Sequence, residues 1–247
     1  MDTAQPAATA PDPQNGRLSW FTRISYGLGD TAMNIVAGAM TILTFFYTDY
    51  AGVEPTTVGL VFLISRIFDG VSDLIMGFIV ERTNSKWGKS RPWILWSSIP
   101  FCVSIVLIYT VPQGSDFMKF VYLFITYNFC NTICYTALNL PYGSLSAMMT
   151  RISRERDMLS ITRMALSPIG KIISISATLP LIKVLGDNQA AWIKVMSIWA
   201  VLAFILLMLC FTQCKETVVI EARKKVSKVP VIKSLKCLFC NKYFWMA

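Results

Sequence analysis

Long apolar runs separated by short charged segments dominate the chain. A helix needs about 20 residues to cross the hydrocarbon core of a bilayer, and we find six runs of that length. They cover residues 26–50, 57–80, 93–111, 118–140, 161–185 and 191–211. Tyrosine and tryptophan near several of their ends are typical of a membrane interface. The pattern therefore predicts six transmembrane helices.

Strongly basic connections alternate with weakly charged ones along the chain. Basic residues are in excess between the second and third runs, around the start of the fifth run, and after the sixth. The other three connections are acidic, neutral or nearly neutral. Positively charged loops remain in the cytoplasm, so both ends of the chain are predicted to be cytoplasmic. A multi-pass protein of the cell membrane, in contact with the lipid bilayer, is expected.

Composition agrees with a membrane protein and argues against several kinds of chemistry. Charged residues make up 15% of the chain and hydrophobic residues 54%, whereas soluble domains carry about 25% charged residues. The chain has no histidine, and its seven cysteines lack metal-ligand spacing. A zinc site, a histidine-based catalytic triad and a cofactor are therefore not expected, and neither is an enzyme.

Four segments follow from these patterns. We predict a disordered cytoplasmic tail at 1–18, a six-helix bundle at 19–212, a basic central loop at 213–240 and the start of a truncated seventh helix at 241–247. The basic run at 223–236 could bind nucleic acid, but its place just after a membrane helix favours lipid headgroups. The chain then reads as an N-terminal half, with a C-terminal half missing and no nucleic-acid partner.

Three charges lie within the second apolar run. Arg66, Asp69 and Asp73 are spaced i, i+3, i+7 and share one side of a helix. Each charge costs about 2.5–3.5 kcal/mol at the bilayer centre, so such residues usually mark a functional site. The two carboxylates can bind Na⁺, or one of them can hold a proton. Arg66 either neutralises a carboxylate in the ion-free state or forms a fixed structural pair.

Polar residues also follow one side of three other predicted helices. They are Asp30, Asn34 and Thr41 in the first, Asn128, Thr132, Tyr135 and Asn139 in the fourth, and Arg163, Ser167, Lys171, Ser174 and Thr178 in the fifth. The fourth helix also offers Asn131 and Thr136. Lipid cannot satisfy such groups, so they predict a hydrated cavity. The alternative is that many of them form hydrogen bonds that only stabilise helix packing.

Two further features bear on how the helices meet. Lys171 is too deep to reach the basic loop, so it pairs with an acidic residue such as Asp30, or its helix begins later than predicted. In the loop between the second and third runs, Gly77 would permit close helix approach, Gly88 a tight turn and Pro92 the start of a helix.

Several of these residues form motifs. The motifs are Tyr26-Gly27-Leu28-Gly29-Asp30, Phe46-Tyr47-Thr48-Asp49, Arg66-x-x-Asp69-x-x-x-Asp73-x-x-Met76-Gly77, Trp87-Gly88-Lys89-x-Arg91-Pro92-Trp93, Asn139-x-Pro141-Tyr142, and Arg154-Glu155-Arg156 with Arg163. From residue 19 to residue 211 the chain resembles the glycoside–pentoside–hexuronide:cation symporters. The resemblance implies the major facilitator fold of twelve helices, of which this chain would supply the first six.

The resemblance also assigns roles to residues. It implies a coupling-cation site at Asp69 and Asp73 with Thr136 and Asn139, and no metal beyond a Na⁺ there. It implies a sugar site formed by Asp30, Asn34, Tyr135, Asn139 and Arg163, with Arg66, Gly77 and Lys171 in structural or gating roles. A well-known member of the family has acidic residues where this chain has Asn34 and Asn139, a proline at Leu74 and a tryptophan at Gly143. Asp30 is our candidate for the missing sugar-binding carboxylate.

The sequence thus predicts a secondary transporter. It would move a sugar or glycoside together with Na⁺ or H⁺ by alternating access, with no cofactor. The alternative is a membrane sensor or scaffold with the same fold that transports nothing. Loss of the two aspartates would distinguish them, because a sensor or scaffold would tolerate it.

Overall fold

The computed structural model describes residues 17–217, and nearly all of that part is helical. The stretches are α1 (Trp20–Tyr50), α2 (Pro55–Arg82), α3 (Arg91–Ile108), α4 (Asp116–Asn128, Phe129–Tyr135 and Thr136–Met149), α5 (Ser153–Val184) and α6 (Gln189–Gln213). The all-α prediction is confirmed. The predictions for the first 16 residues, for most of the basic loop and for a seventh helix lie outside the described residues.

Four of these helices are long and apolar enough to cross a membrane. They are α1, α3, α5 and α6. Arg66, Asp69 and Asp73 lower the hydropathy of α2, and a π-helical segment at Phe129–Tyr135 divides α4. The chain is therefore a multi-pass membrane protein, and the number of six crossings stays a prediction.

Local signals explain where the helices begin. The hydroxyls of Ser19 and Ser115 and the side-chain oxygen of Asn188 accept hydrogen bonds from backbone N–H groups in the first turns of α1, α4 and α6. These groups satisfy donors that have no partner within a helix. Pro55 and Pro92 lie in the first turns of α2 and α3, where proline loses no hydrogen bond. The predicted role of Pro92 is confirmed.

The helix α5 begins earlier than predicted, at Ser153 rather than residue 161. Its first turns contain the Arg154-Glu155-Arg156 motif, which the sequence placed in a loop. Glu155 is buried there because both of its carboxylate oxygens accept hydrogen bonds from the Arg23 guanidinium on α1, at 3.0 and 2.7 Å. This partner allows a charged turn to continue the helix beyond the apolar run.

The helix α4 also extends past its predicted end, through Pro141 to Met149. Proline has no N–H, so the carbonyl four residues earlier, that of Ala137, loses its helical partner. The hydroxyl of Ser97 on α3 donates to this carbonyl at 3.3 Å. A side chain from a neighbouring helix thus stabilises the continuation of α4.

Small residues bring α1 and α5 together. A Cβ atom on Gly38 would lie 2.9 Å from the Lys171 carbonyl oxygen, and one on Gly170 would lie 2.8 Å from that of Thr31. No such contact is normal for a Cβ, so only glycine allows this spacing, as is common between membrane helices. The helix α1 also packs on α6, α6 on α3, α3 on α4 and α4 on α2.

The turn between α2 and α3 is held by a residue that follows α6. The Glu216 carboxylate accepts hydrogen bonds from the backbone N–H groups of Lys89, Ser90 and Arg91 at 2.8–2.9 Å. These groups are at the start of α3, where a negative charge is favourable. Gly88 turns there with φ of +108°, which confirms its predicted turn. Sequence patterns did not predict the Glu216 contact.

Candidate cation and sugar site

Asp69 of α2 lies against α4 and accepts hydrogen bonds from two of its side chains. The Asn131 amide nitrogen donates to both carboxylate oxygens, at 3.1 and 3.0 Å. The Thr132 hydroxyl donates to Oδ1 at 2.6 Å. Hydrogen bonds to an ionised group are shorter and stronger than neutral ones. The Asn131 and Thr132 side chains of α4 therefore fix the orientation of the Asp69 carboxylate.

Asp73 lies one helical turn further along α2 and has a looser environment. It accepts one hydrogen bond from a described residue, from the Thr136 hydroxyl at 3.0 Å. Between the two carboxylates, the Ser72 hydroxyl donates to the Thr132 carbonyl oxygen at 2.6 Å. The two carboxylates thus face one segment of α4, and the predicted proximity of Thr136 is present.

A π-helical segment explains why these α4 residues face α2 together. Phe129–Tyr135 has the wider i→i+5 pattern, so residues five apart differ much less in direction than they would in an α-helix. Asn131 and Thr136 are five apart and contact Asp69 and Asp73. In a regular α-helix they would point in clearly different directions. Such π-helical turns are frequent at functional sites.

Arg66 is the nearest cation to Asp69, but the pair is loose. Its Nη1 atom lies 3.9 Å from Asp69 Oδ2, and 79% of the Arg66 side chain is exposed. Arg66 is thus neither buried with Asp69 nor in hydrogen-bond contact with it. Of the two sequence readings, this geometry favours a replaceable counter-ion over a fixed structural pair.

A cavity of about 380 Å³ opens beside Asp69, between α1, α2, α3 and α4. Its lining is mixed aromatic and polar: Val36, Ala37, Met40, Thr41, Thr44, Phe62, Arg66, Phe101, Tyr127, Cys130, Asn131 and Tyr135. Ligand sites commonly combine apolar walls with a few placed polar groups, and this volume is within their usual range of about 300–1,000 Å³. The cavity suits a small polar molecule with apolar ring faces.

A second polar cluster lies nearer the start of α1. Asp30 has Arg163 and Ser167 of α5 as its electrostatic neighbours. Arg163 also interacts with Tyr26 and Tyr142, whose rings stack with centroids 4.7 Å apart. The structure thus brings together Asp30 and Arg163, which the sequence assigned to the sugar site.

Tyr135 connects the two clusters. It lines the cavity, and both Asp30 and Asp73 contribute to its electrostatic environment. Of the predicted sugar residues, Tyr135 therefore lines the cavity and is also influenced by the charge of Asp30, which in turn is influenced by Arg163. Asp30 and Arg163 themselves do not line the cavity.

Other predicted site residues are placed differently. The Asn34 amide donates to the Asp30 carbonyl oxygen of its own helix, and the Asn139 side chain makes no hydrogen bond to a described residue. The Lys171 side chain is exposed, and Arg163 rather than Lys171 is the electrostatic neighbour of Asp30 on α5. A Cβ atom added to Gly77 would meet no other atom of the described bundle within 4 Å, so its predicted close helix contact is absent there.

Sequence reasoning placed Asn131 and Thr132 among the polar residues of α4 but not in the cation site. It assumed α-helical spacing, which puts Asn128, Thr132, Tyr135 and Asn139 on one side. The π-helical segment changes which residues share a face. The wall residues Thr44, Phe62 and Tyr127 gave no separate signal, because aromatic and threonine residues are common in membrane helices.

A helical membrane bundle with carboxylates beside a polar cavity defines the class of membrane carriers. The chain belongs to the MFS/sugar transport protein family, whose profile matches residues 25–247. The resemblance noted from the sequence motifs is thereby confirmed.

Curated relatives agree with this membership. The isoprimeverose transporter of Lactiplantibacillus pentosus is 35% identical over 93% of this chain and 50% of its own length. The inner membrane symporter YicJ of Escherichia coli is 37% identical over 81% of the chain and 44% of its own length. The putative glycoside/cation symporter YagG of Escherichia coli is 36% identical, over 91% and 49% respectively. The chain spans about half the length of these relatives, and all three carry names of transporters or symporters.

Proposed function

We propose that the chain forms part of a carrier that moves a sugar or glycoside together with a cation, Na⁺ or H⁺. The observation that carries the proposal is the pair Asp69 and Asp73, held on one face of α2 by α4 side chains beside a polar cavity. Carboxylates are expensive within a membrane helix and are kept where an ion or proton binds. Their position next to a cavity of suitable size links the ion to a substrate.

Each carboxylate has a distinct role in this proposal. Asp69 is oriented by Asn131 and Thr132 and supplies oxygens of fixed direction. Among the described residues, only the Thr136 hydroxyl bonds Asp73, so in this proposal its carboxylate can turn toward the cation. Oxygen ligands suit hard cations, and a hydroxyl can also act as a ligand. The Asn139 oxygen, which makes no hydrogen bond within the described bundle, remains a proposed further contribution.

The sugar occupies the cavity in this proposal, with Tyr135 as the contact shared with the second cluster. Aromatic walls at Phe62, Phe101 and Tyr127 suit the apolar faces of a sugar ring, while threonine and asparagine side chains suit its hydroxyls. Relatives named for isoprimeverose and for glycosides support this substrate class. Asp30, Asn34 and Arg163 would complete the site when the helices move.

Transport needs the site to open to each side of the membrane in turn. Many carriers do this by rocking two related helical halves around a site near the bilayer midplane. We propose that this chain supplies the first half, with both ends of its bundle in the cytoplasm, as the basic loops favour. Relatives about twice the length of the matched region support a second half.

Uptake into membrane vesicles tests the proposal. The complete protein that contains this chain is produced in cells lacking related carriers, and vesicles receive an inward Na⁺ or proton gradient with isoprimeverose or a nitrophenyl glycoside. We expect Asp69→Asn and Asp73→Asn each to lower gradient-driven uptake more than about tenfold, the factor given by ~1.4 kcal/mol of lost cation binding.

A matched variant separates site effects from general damage. Asp116→Asn removes a carboxylate from the exposed first turn of α4, away from the site, and should keep normal uptake. Equal protein in the membrane is checked for every variant. Normal concentrative uptake in both Asp69→Asn and Asp73→Asn would refute the coupling role. A protein that transports none of the tested sugars and tolerates both changes would be a sensor or scaffold.

A further inference from the structure

Asn131 contacts both parts of the proposed site. Its amide nitrogen donates to both oxygens of Asp69, and the same side chain lines the 380 Å³ cavity. The side chain is partly buried and lies in the π-helical segment of α4. A single planar amide therefore separates the proposed cation carboxylate from the proposed sugar.

Neighbouring residues do not combine these contacts in the same way. Thr132 bonds Asp69 at 2.6 Å but does not line the cavity. Thr44 lines the cavity but makes no contact with Asp69. Arg66 lines the cavity and forms an ion pair with Asp69, but its Nη1 atom lies 3.9 Å from Asp69 Oδ2 and 79% of its side chain is exposed. Asn131 alone among these four joins the cavity to Asp69 through hydrogen bonds.

The amide of Asn131 can act on both sides at once. An asparagine side chain has two donors on nitrogen and an acceptor oxygen in one rigid plane. In the described bundle the nitrogen is engaged with Asp69, and the oxygen accepts no hydrogen bond. A sugar hydroxyl that donates to this oxygen fixes the plane of the amide. Fixing that plane also fixes the direction in which the nitrogen holds Asp69.

We propose that Asn131 is the positioning residue that couples sugar binding to cation binding. The inference rests on the proposed function and deepens it. The sugar orders the Asn131 amide, the amide orders the Asp69 carboxylate, and the ordered carboxylate binds the cation more tightly. By linkage the bound cation must strengthen sugar binding by the same factor.

Equilibrium binding measures this factor. With the purified complete protein, the dissociation constant of isoprimeverose or of the transported nitrophenyl glycoside is measured without Na⁺ and with saturating Na⁺. Coupling between two sites is usually about 5–150-fold, and we expect the unmodified protein to lie in this range. In Asn131→Leu, which keeps the volume but loses the amide, the ratio should fall to within about twofold of one.

Two control variants separate the contact of Asn131 with the cavity from its contact with Asp69. Thr44→Val alters only the cavity wall and should change sugar affinity while the ratio persists. Thr132→Val removes the hydroxyl that bonds Asp69 and Asn128 without changing the cavity wall, and should change Na⁺ affinity while a ratio clearly above one persists. Asn131→Gln keeps an amide and should retain a larger ratio than Asn131→Leu. If the leucine variant does not fold, Asn131→Ala provides the same test.

The outcomes are distinct. A collapsed ratio in Asn131→Leu or Asn131→Ala, with sugar binding still measurable, supports the inference. A ratio equal to that of the unmodified protein in those variants overturns it, as does an equal collapse in Thr44→Val. No effect of Na⁺ or of pH on sugar binding by the unmodified protein contradicts the proposed function itself. If the dissociation constant of the sugar depends on pH but not on Na⁺, Asn131 does not couple sugar binding to Na⁺ binding and the inference is overturned.

Discussion

Two arginine–carboxylate pairs in this bundle differ in almost every respect. Arg23 and Glu155 lie 2.7 Å apart, and the exposed fractions of their side chains are 9% and 6%. Arg66 and Asp69 lie 3.9 Å apart, with exposed fractions of 79% and 20%. The first pair joins α1 to the start of α5, whereas the second lies within α2 beside the cavity. A guanidinium and a carboxylate are therefore paired in a buried, closed environment at Arg23–Glu155 and in a more exposed, open one at Arg66–Asp69.

The difference indicates which carboxylates can exchange partners. Glu155 also accepts a hydrogen bond from the Leu18 backbone N–H at 3.2 Å, and the Arg23 guanidinium lies 4.7 Å from the Trp20 ring centroid. Breaking a buried pair leaves an uncompensated charge, so it remains closed. An exposed pair is worth about 0–1 kcal/mol, so a cation can replace Arg66 at little cost. We infer that Arg23–Glu155 stabilises the fold and Arg66–Asp69 serves function.

The largest expected effect on stability comes from the closed pair. Glu155→Gln leaves the Arg23 guanidinium buried without its counter-charge, which should lower the free energy of unfolding by about 3–5 kcal/mol. Denaturation of the purified protein in mixed detergent micelles measures this. The double variant Arg23→Met with Glu155→Leu should recover most of the loss. A loss below about 1 kcal/mol in Glu155→Gln would show that this pair contributes no more to stability than an exposed ion pair does.

A smaller effect is expected at Glu216. Glu216→Gln removes the charge that three backbone N–H groups at the start of α3 share. Hydrogen bonds to charged groups contribute about 1.5–3 kcal/mol, and water can replace part of this in a partly exposed turn, so a loss of about 2 kcal/mol is expected. The same unfolding measurement checks it, with Lys215→Gln as the adjacent control. An unchanged stability would show that water replaces the carboxylate fully.

The smallest effect on stability is expected at the open pair. Arg66→Gln should change the free energy of unfolding by less than about 1 kcal/mol, since the side chain is mostly exposed and its ion pair is long. Cation affinity should change more than stability, because Arg66 competes with the cation for Asp69. Titration of uptake with Na⁺ or pH measures that change. A stability loss as large as that of Glu155→Gln would instead make Arg66 a structural residue.

The sequence was sufficient for the helical architecture and for the carboxylates of α2. The spacing of Arg66, Asp69 and Asp73 directly predicts a shared face, since α2 is a regular helix. The tight turn at Gly88 and the helix start at Pro92 depend on local sequence alone, so they could be predicted equally well. The family membership followed from motifs that occur in the same order.

Other parts of the site depend on geometry that spacing does not reveal. Asn131 and Thr136 face α2 together because α4 has a π-helical segment, whereas regular α-helical spacing would separate them. Arg163 rather than Lys171 is the electrostatic neighbour of Asp30, and spacing along α5 places both residues on one side and does not distinguish them. Glu216 lies outside every apolar run, and the backbone N–H groups that donate to it are more than 120 residues away.

The central claim is that Asp69 and Asp73 bind the coupling cation. The most direct test measures cation uptake by the purified complete protein when sugar is added, with radioactive Na⁺ and a pH indicator read on the same sample. Sugar addition is expected to increase the uptake of one of the two cations. Asp69→Asn and Asp73→Asn should each abolish this increase, whereas Arg66→Gln should retain it. An undiminished cation response in the double aspartate variant would contradict the account.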